Sequence, residues 1–232
     1  MNNKTLKHLL FVGISLIPLA YLLLIWNKIP GTVPTHFDVN MKPDDYSSRW
    51  GFFLAEGFIS LISIGVYFLL QNIHRIDPKR ANKPQSPVFD KLSMGLVIFM
   101  VVLSFITISM SMGQTINSGR LMFPAIGLLF AFIGNLMHNV KPNYFVGMRL
   151  PWTLNSDYNW RKTHQLASKL WFAGGLLVAA LCFFLPFGAA AITMMVIMTI
   201  LVFIPIIYSF RLFRKEQNDP SIANEEKENN NK

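Results

Sequence analysis

Leu92 to Met112 reads LSMGLVIFMVVLSFITISMSM, a run without a single charged residue. At about 1.5 Å per residue it makes a helix long enough to cross the ~30 Å hydrocarbon core of a bilayer. Five similar blocks flank it: Leu9 to Trp26, Gly51 to Leu70, Leu121 to Val140, Leu170 to Phe187 and Ala189 to Phe210. Hydrophobic residues make up 52% of the 232 and charged residues only 14%, and none of the six blocks shows the polar stripe that a helix of a soluble bundle needs. The expected fold class is therefore all-α, a polytopic membrane helix bundle with six transmembrane helices.

The first block follows Lys4, Lys7 and His8, as a signal peptide would. It runs on to Trp26 without a small-residue cleavage site, which predicts an uncleaved anchor. Of the 21 Lys and Arg, all but Lys28, Lys42, Arg49 and Arg120 fall on the side of the N-terminus. That asymmetry predicts both termini in the cytoplasm. The net charge of +9 then reflects topology and attraction to anionic membrane lipids, with no nucleic-acid partner implied. Cys182 lies within an apolar run and reads as a small buried hydrophobe.

The expected organisation is an N-terminal two-helix membrane domain (1–75) with an external loop (27–50), a basic cytoplasmic linker (76–91), a four-helix membrane domain (92–215) and a disordered tail (216–232). The external loop, rich in Pro, Gly, Asn and Asp, reads as folded turns with one short extended stretch over Thr35 to Val39. Its length marks it as functional, and His36, Asp38, Asp44, Tyr46, Arg49 and Trp50 are its candidate ligand-binding residues. His36 with three aspartates lacks any established ligand spacing, so no metal and no cofactor is expected. Glu56 joins the set because an ionisable side chain inside an apolar run is a functional candidate by default. Snorkelling, or pairing with Arg49 or Arg120, is the alternative for it.

The second dense region is Asn143 to Trp171, NYFVGMRLPWTLNSDYNWRKTHQLASKLW, whose three tryptophans suit a membrane interface. Pro151 disfavours helix at Leu150. Asn155 or Ser156 caps a new helix, in which Trp160, His164, Ala167 and Trp171 share one face. This predicts an interfacial amphipathic helix before the fifth crossing. Asn143, Gly147, Arg149, Pro151, Trp152, Trp160 and His164 are the candidate partner-binding residues. Two readings stay open: a docking face for a soluble partner, or tryptophan anchors in lipid headgroups with Arg149 and His164 on helix carbonyls. No nucleophile motif, phosphate loop or paired-histidine zinc motif is present, so no enzyme is expected.

Two sets of residues resemble a known family. Ile29-Pro30, Pro34, His36-Phe37-Asp38, Lys42-Pro43-Asp44 to Tyr46 and Arg49-Trp50 resemble the small membrane domain at the N-terminus of SdpI-type proteins. Asn143, Gly147, Arg149, Pro151 to Leu154, Trp160, Thr163-His164 and Lys169 resemble their SdpI domain. The chain departs from the pattern at Met41, near Asp45 and at Ser168, where the family commonly has glycine. The resemblance implies immunity to a secreted membrane-active peptide toxin, with a cytoplasmic transcriptional repressor as a second partner. A small-molecule or peptide transporter is the alternative, suggested by Pro18, Pro124, Pro186 and Pro205 in or beside the helices.

Overall fold

The computed structural model describes residues 2–38, 40–80, 84–113, 115–219 and 221–222, with only the backbone path over 115–119. Six helices are long and apolar enough to span a bilayer: α1 (Asn3–Leu24), α2 (Arg49–Gln71), α4 (Pro87–Ser111), α5 (Thr115–Met137), α7 (Asp157–Phe184) and α8 (Phe187–Asn218). Short helices α3 (Ile73–Ile76) and α6 (Pro151–Asn155) lie between them. The fold is mostly helical and multi-pass in architecture, as the composition predicts.

Local chemistry starts the helices where the sequence says. Asn2 accepts from the Lys4 N–H, Ser48 from Gly51 and Ser156 from Asn159, each covering an orphan donor. Pro87 opens α4, where its missing N–H is harmless. Pro18, Pro124 and Pro205 lie inside helices that continue through them.

The packing is inverted relative to a soluble bundle. Leu24, Leu54, Phe58, Leu61 and Phe184 point outward, while Ser15, Ser60, Ser63, Ser104 and Ser209 are buried between helices. Lipid solvates the large apolar side chains, so small residues that let backbones approach are left for the interfaces. The closest approach joins α5 and α7. A Cβ on Gly127 would strike the backbone of Gly175 and Ala179, and one on Gly175 would strike Ala131 and Gly127.

The connection between α1 and α2 holds more structure than the single extended stretch expected from the sequence. Strands β1 (Thr32–Phe37) and β2 (Pro43–Ser48) pair antiparallel, Thr32 opposite Ser48 and His36 opposite Asp45, with irregular register near His36. Pro43-Asp44-Asp45 reads as turn chemistry. As the start of an exposed edge strand those residues are tolerated, because the proline opens the strand and the carboxylates face water. Val33 drops into a cluster with Leu22, Ile29, Phe52 and Ile108, and Ser111 Oγ donates to the Pro34 carbonyl at 2.9 Å. The hairpin is thus seated on α1, α2 and α4. Val39, expected to end the extended stretch, lies outside the described residues.

Two further expectations are corrected. The helix expected at the fifth crossing runs into it without a break as α7 from Asp157, but its face bearing Trp160, His164 and Ala167 is buried in protein rather than open at an interface. Residues 216–218, expected in the tail, continue α8. Glu216 there accepts from Ser156 Oγ at 2.5 Å, a tie from α8 to the start of α7. The disorder expected for 220 and 223–232, and Lys83, Lys227 and Lys232 of the charge pattern, lie outside the described residues.

Candidate functional site

The candidate residues divide between two ends of the bundle. The hairpin face carries β1, β2 and the start of α2; the terminal face carries the start of α1, the end of α8 and the segment 138–156.

On the hairpin face the side chains stand in solvent. His36 Nδ1 lies 2.6 Å from Asp44 Oδ1 across the strands, with both side chains largely exposed. Asp38 does not join them. Its Oδ1 accepts the backbone N–H groups of Lys42 and Asn40, both at 2.8 Å, and the Lys42 bond foremost holds its carboxyl below the usual aspartate range. Among the described residues no three metal-ligating side chains converge. The Arg49 guanidinium lies 5.4 Å from the Trp26 ring centroid, and Trp26 meets Trp50 at 4.6 Å. With Phe53 these form an aromatic step beside the hairpin, from which Trp50 projects 63% exposed. Tyr46 projects similarly from β2, at 54%.

Glu56 lies beneath this surface, 2% exposed, two turns into α2. The sequence offered Arg49 or Arg120 as its partner. Instead, Thr107 Oγ1 of α4 donates to Glu56 Oε1 at 2.7 Å. Glu56 Oε2 and Ser60 Oγ, one turn on, are buried with no partner among the described residues. Ser60 borders a crevice too narrow to admit a water molecule, shared with Ser15, Ser63 and Ser104. Thr107 was missed because a lone threonine in an apolar run looks like filler. The usable signal was one polar residue in α4 at the depth of the one carboxylate in α2.

The terminal face is built the opposite way. Asn143, fully buried, donates from Nδ2 to the Lys141 and Val146 carbonyls and accepts at Oδ1 from the Phe145 and Val146 N–H groups. One side chain thereby fixes the whole turn. Gly147 follows at φ +114, a conformation that favours glycine, and a Cβ there would enter the His164 ring. His164 Nε2 accepts the Met148 N–H at 3.0 Å while Nδ1 faces the Trp160 carbonyl at 2.7 Å, so Nδ1 carries the donating hydrogen. The Trp160 ring stacks on His164 at 4.1 Å, and its Nε1 donates to the Val140 carbonyl.

The next turn is held by Thr153, which donates to the Met148 carbonyl and accepts the Leu150 N–H. Arg149 reaches back to the Tyr144 carbonyl at 2.6 Å. Trp152 Nε1 donates to Ser209 Oγ on α8, and Asn159 Nδ2 donates to the Ser209 carbonyl. From the other side Asp77 accepts the Tyr144 N–H, and Lys79 Nζ donates to the Leu154 carbonyl. Of the seven partner-binding candidates, Asn143, Trp160 and His164 are therefore interior. Arg149 and Pro151 are exposed, with Gly147 and Trp152 half-buried. Sequence reading missed Asp77, Asn159, Ser209 and Glu216. Asn159 and Thr163 stand one helical turn apart and hydrogen-bond at 3.1 Å, a spacing that could have flagged the first of them.

Comparison with known proteins agrees with this division. Residues 139–209 match the SdpI/YfhL protein family, and residues 13–59 match a domain of unknown function, DUF1648. Immunity protein SdpI of Bacillus subtilis (strain 168) is 24% identical over 207 residues, covering 88% of this chain and 95% of that protein. No solved structure matches. The first match covers the locked terminal segment with α7 and most of α8, the second the hairpin with the adjoining parts of α1 and α2, so both ends of this multi-pass membrane protein resemble SdpI-type proteins.

Proposed function

We propose that this chain is a bacterial immunity protein that protects its cell from a secreted membrane-active peptide by binding it at the hairpin face, without catalysis. The observation that carries this reading is the match to Immunity protein SdpI along nearly the full length of both chains. The geometry supports it. A seated hairpin presents His36, Asp44, Tyr46 and Trp50 to solvent, and Glu56 beneath keeps an unpartnered oxygen. Aromatic and charged groups on a pre-formed surface are what a short amphipathic peptide engages at low ordering cost.

In this reading the hairpin lies outside the plasma membrane and both termini lie in the cytoplasm, following the Lys and Arg distribution. A cytoplasmic repressor, the second partner implied by the resemblance, docks on the terminal face at the exposed Arg149 and Pro151 and the half-buried Trp152. Asn143, Gly147, Trp160 and His164 hold that surface in shape.

The test is survival. The chain is expressed in a toxin-sensitive bacterium without its own immunity protein and challenged with a panel of secreted membrane-active peptides. Selective protection, lost in Glu56→Gln and Trp50→Ala at matched abundance, is the expected result. Uniform sensitivity across the panel would refute the reading, and outward movement of a labelled peptide from loaded vesicles would replace it with transport.

A further inference from the structure

A second pocket, unrelated to peptide binding, opens on the terminal face where the start of α1 meets the turn between α2 and α4. Its volume is about 610 Å³, and its ionisable lining is Lys4, Lys7, His8, His74, Arg75 and Asp90. The one acid among them is already engaged. Lys7 Nζ forms an ion pair with Asp90 Oδ1, and Gln71 Nε2 donates to the same oxygen at 2.7 Å. The two histidines are also committed at one nitrogen each, His8 toward Tyr67 and His74 toward Gln85. Lys4 and Arg75 are exposed, and among the described residues neither has an acidic partner. The pocket therefore presents two uncompensated cations, backed by a lysine and two imidazoles, to an anion.

Its position selects the kind of anion. The pocket sits at the level where α1 becomes apolar, its lining includes Pro84 and Pro87, and Ile76, next to Arg75 in the chain, is about half exposed. A cationic pocket at the ends of membrane-spanning helices, with prolines in its lining and an outward isoleucine next to Arg75, matches a phosphate headgroup whose acyl chains lie along the bundle. A free phosphate would have no use for that apolar flank. We propose that this pocket binds the headgroup of an anionic phospholipid, tying α1 to the α2–α4 turn. The argument needs only that the terminal face meets the membrane interface, and it stands whether or not the chain confers immunity.

The test uses the full chain in nanodiscs of phosphatidylcholine doped with graded phosphatidylglycerol, with retained lipid counted by native mass spectrometry. Wild-type protein is expected to retain phosphatidylglycerol in preference to phosphatidylcholine, and K4Q/R75Q to lower that retention roughly tenfold. K141Q/K169Q, which removes two exposed charges elsewhere on the same face, should leave it unchanged. The charge-keeping pair K4R/R75K should retain the lipid, separating lost charge from lost folding. Equal loss in both charge-removing pairs, or no preference in the wild type, would overturn the proposal. So would displacement of the lipid by millimolar inorganic phosphate, which would mark the pocket as a free-anion site.

Discussion

The hairpin face and the terminal face contain the same kinds of residue and use them in opposite ways. On the hairpin face His36 and Asp44 pair with each other in water, and Trp50 and Tyr46 project outward. On the terminal face His164 and Trp160 stack inside the protein, and Asn143 has all four of its polar contacts met by its own turn. A polar side chain in solvent exchanges its partners at little cost, whereas a buried one left without a partner costs about 1–3 kcal/mol. The terminal segment is therefore a rigid part of the fold, and the hairpin keeps its groups available to something else.

The sharpest way to break this comparison is a matched pair of glycine substitutions. Gly147→Ala puts a methyl group into the His164 ring at a backbone angle alanine resists, and its cost is expected at about 3 kcal/mol or more. Gly31→Ala, just ahead of the hairpin, meets nothing within 4 Å and should move stability by less than about 0.5 kcal/mol. Thermal unfolding in detergent reads both. Similar losses would show that the two ends are equally constrained.

A smaller effect of the same sign is expected for Asn143→Ala, about 2 kcal/mol, because four contacts vanish and the turn's N–H groups lose their acceptor. Trp50→Ala removes a larger but exposed ring and should cost under about 1 kcal/mol. The order Asn143 above Trp50 is the informative result, since side-chain size alone predicts the reverse.

How much of this was legible in the sequence follows from what hydropathy reports. The six spans were readable because each apolar block is defined against the bilayer itself. The shared face of Trp160, His164 and Ala167 was also readable, since helical spacing fixes it. Its direction was not: a face of tryptophan, histidine and alanine looks alike whether it meets lipid, a partner or the turn 143–148. The hairpin was half legible, because Pro43-Asp44-Asp45 satisfies turn and edge-strand rules alike. The partner of Glu56 was hidden for another reason. Charge pairs suggest themselves in a sequence, and a threonine on another helix does not.

Glu56→Gln tests whether that partner matters. The amide keeps one oxygen to accept from Thr107, so stability should change by less than about 1 kcal/mol. If Glu56 serves the hairpin face, protection in the survival assay should fall at unchanged abundance. Loss of both together would assign Glu56 to packing alone and remove the distinction between the two ends.

The smallest effect belongs to Met41, which has φ +63 between the strands, in the left-handed region that favours glycine. A side chain in the left-handed region costs about 1–2 kcal/mol, offset in part by the entropy that glycine loses on folding. Met41→Gly should therefore raise stability by at most about 1 kcal/mol. Because the hairpin is seated through Val33 and the Pro34 carbonyl, a gain confined to its tip leaves the rest of the face in place. The strand N–H groups should then gain protection in hydrogen exchange without any change at residues 143–148. Altered exchange at those distant residues would mean that the tip is coupled through the bundle to the terminal turn, and the two faces would have to be described as one mechanical unit.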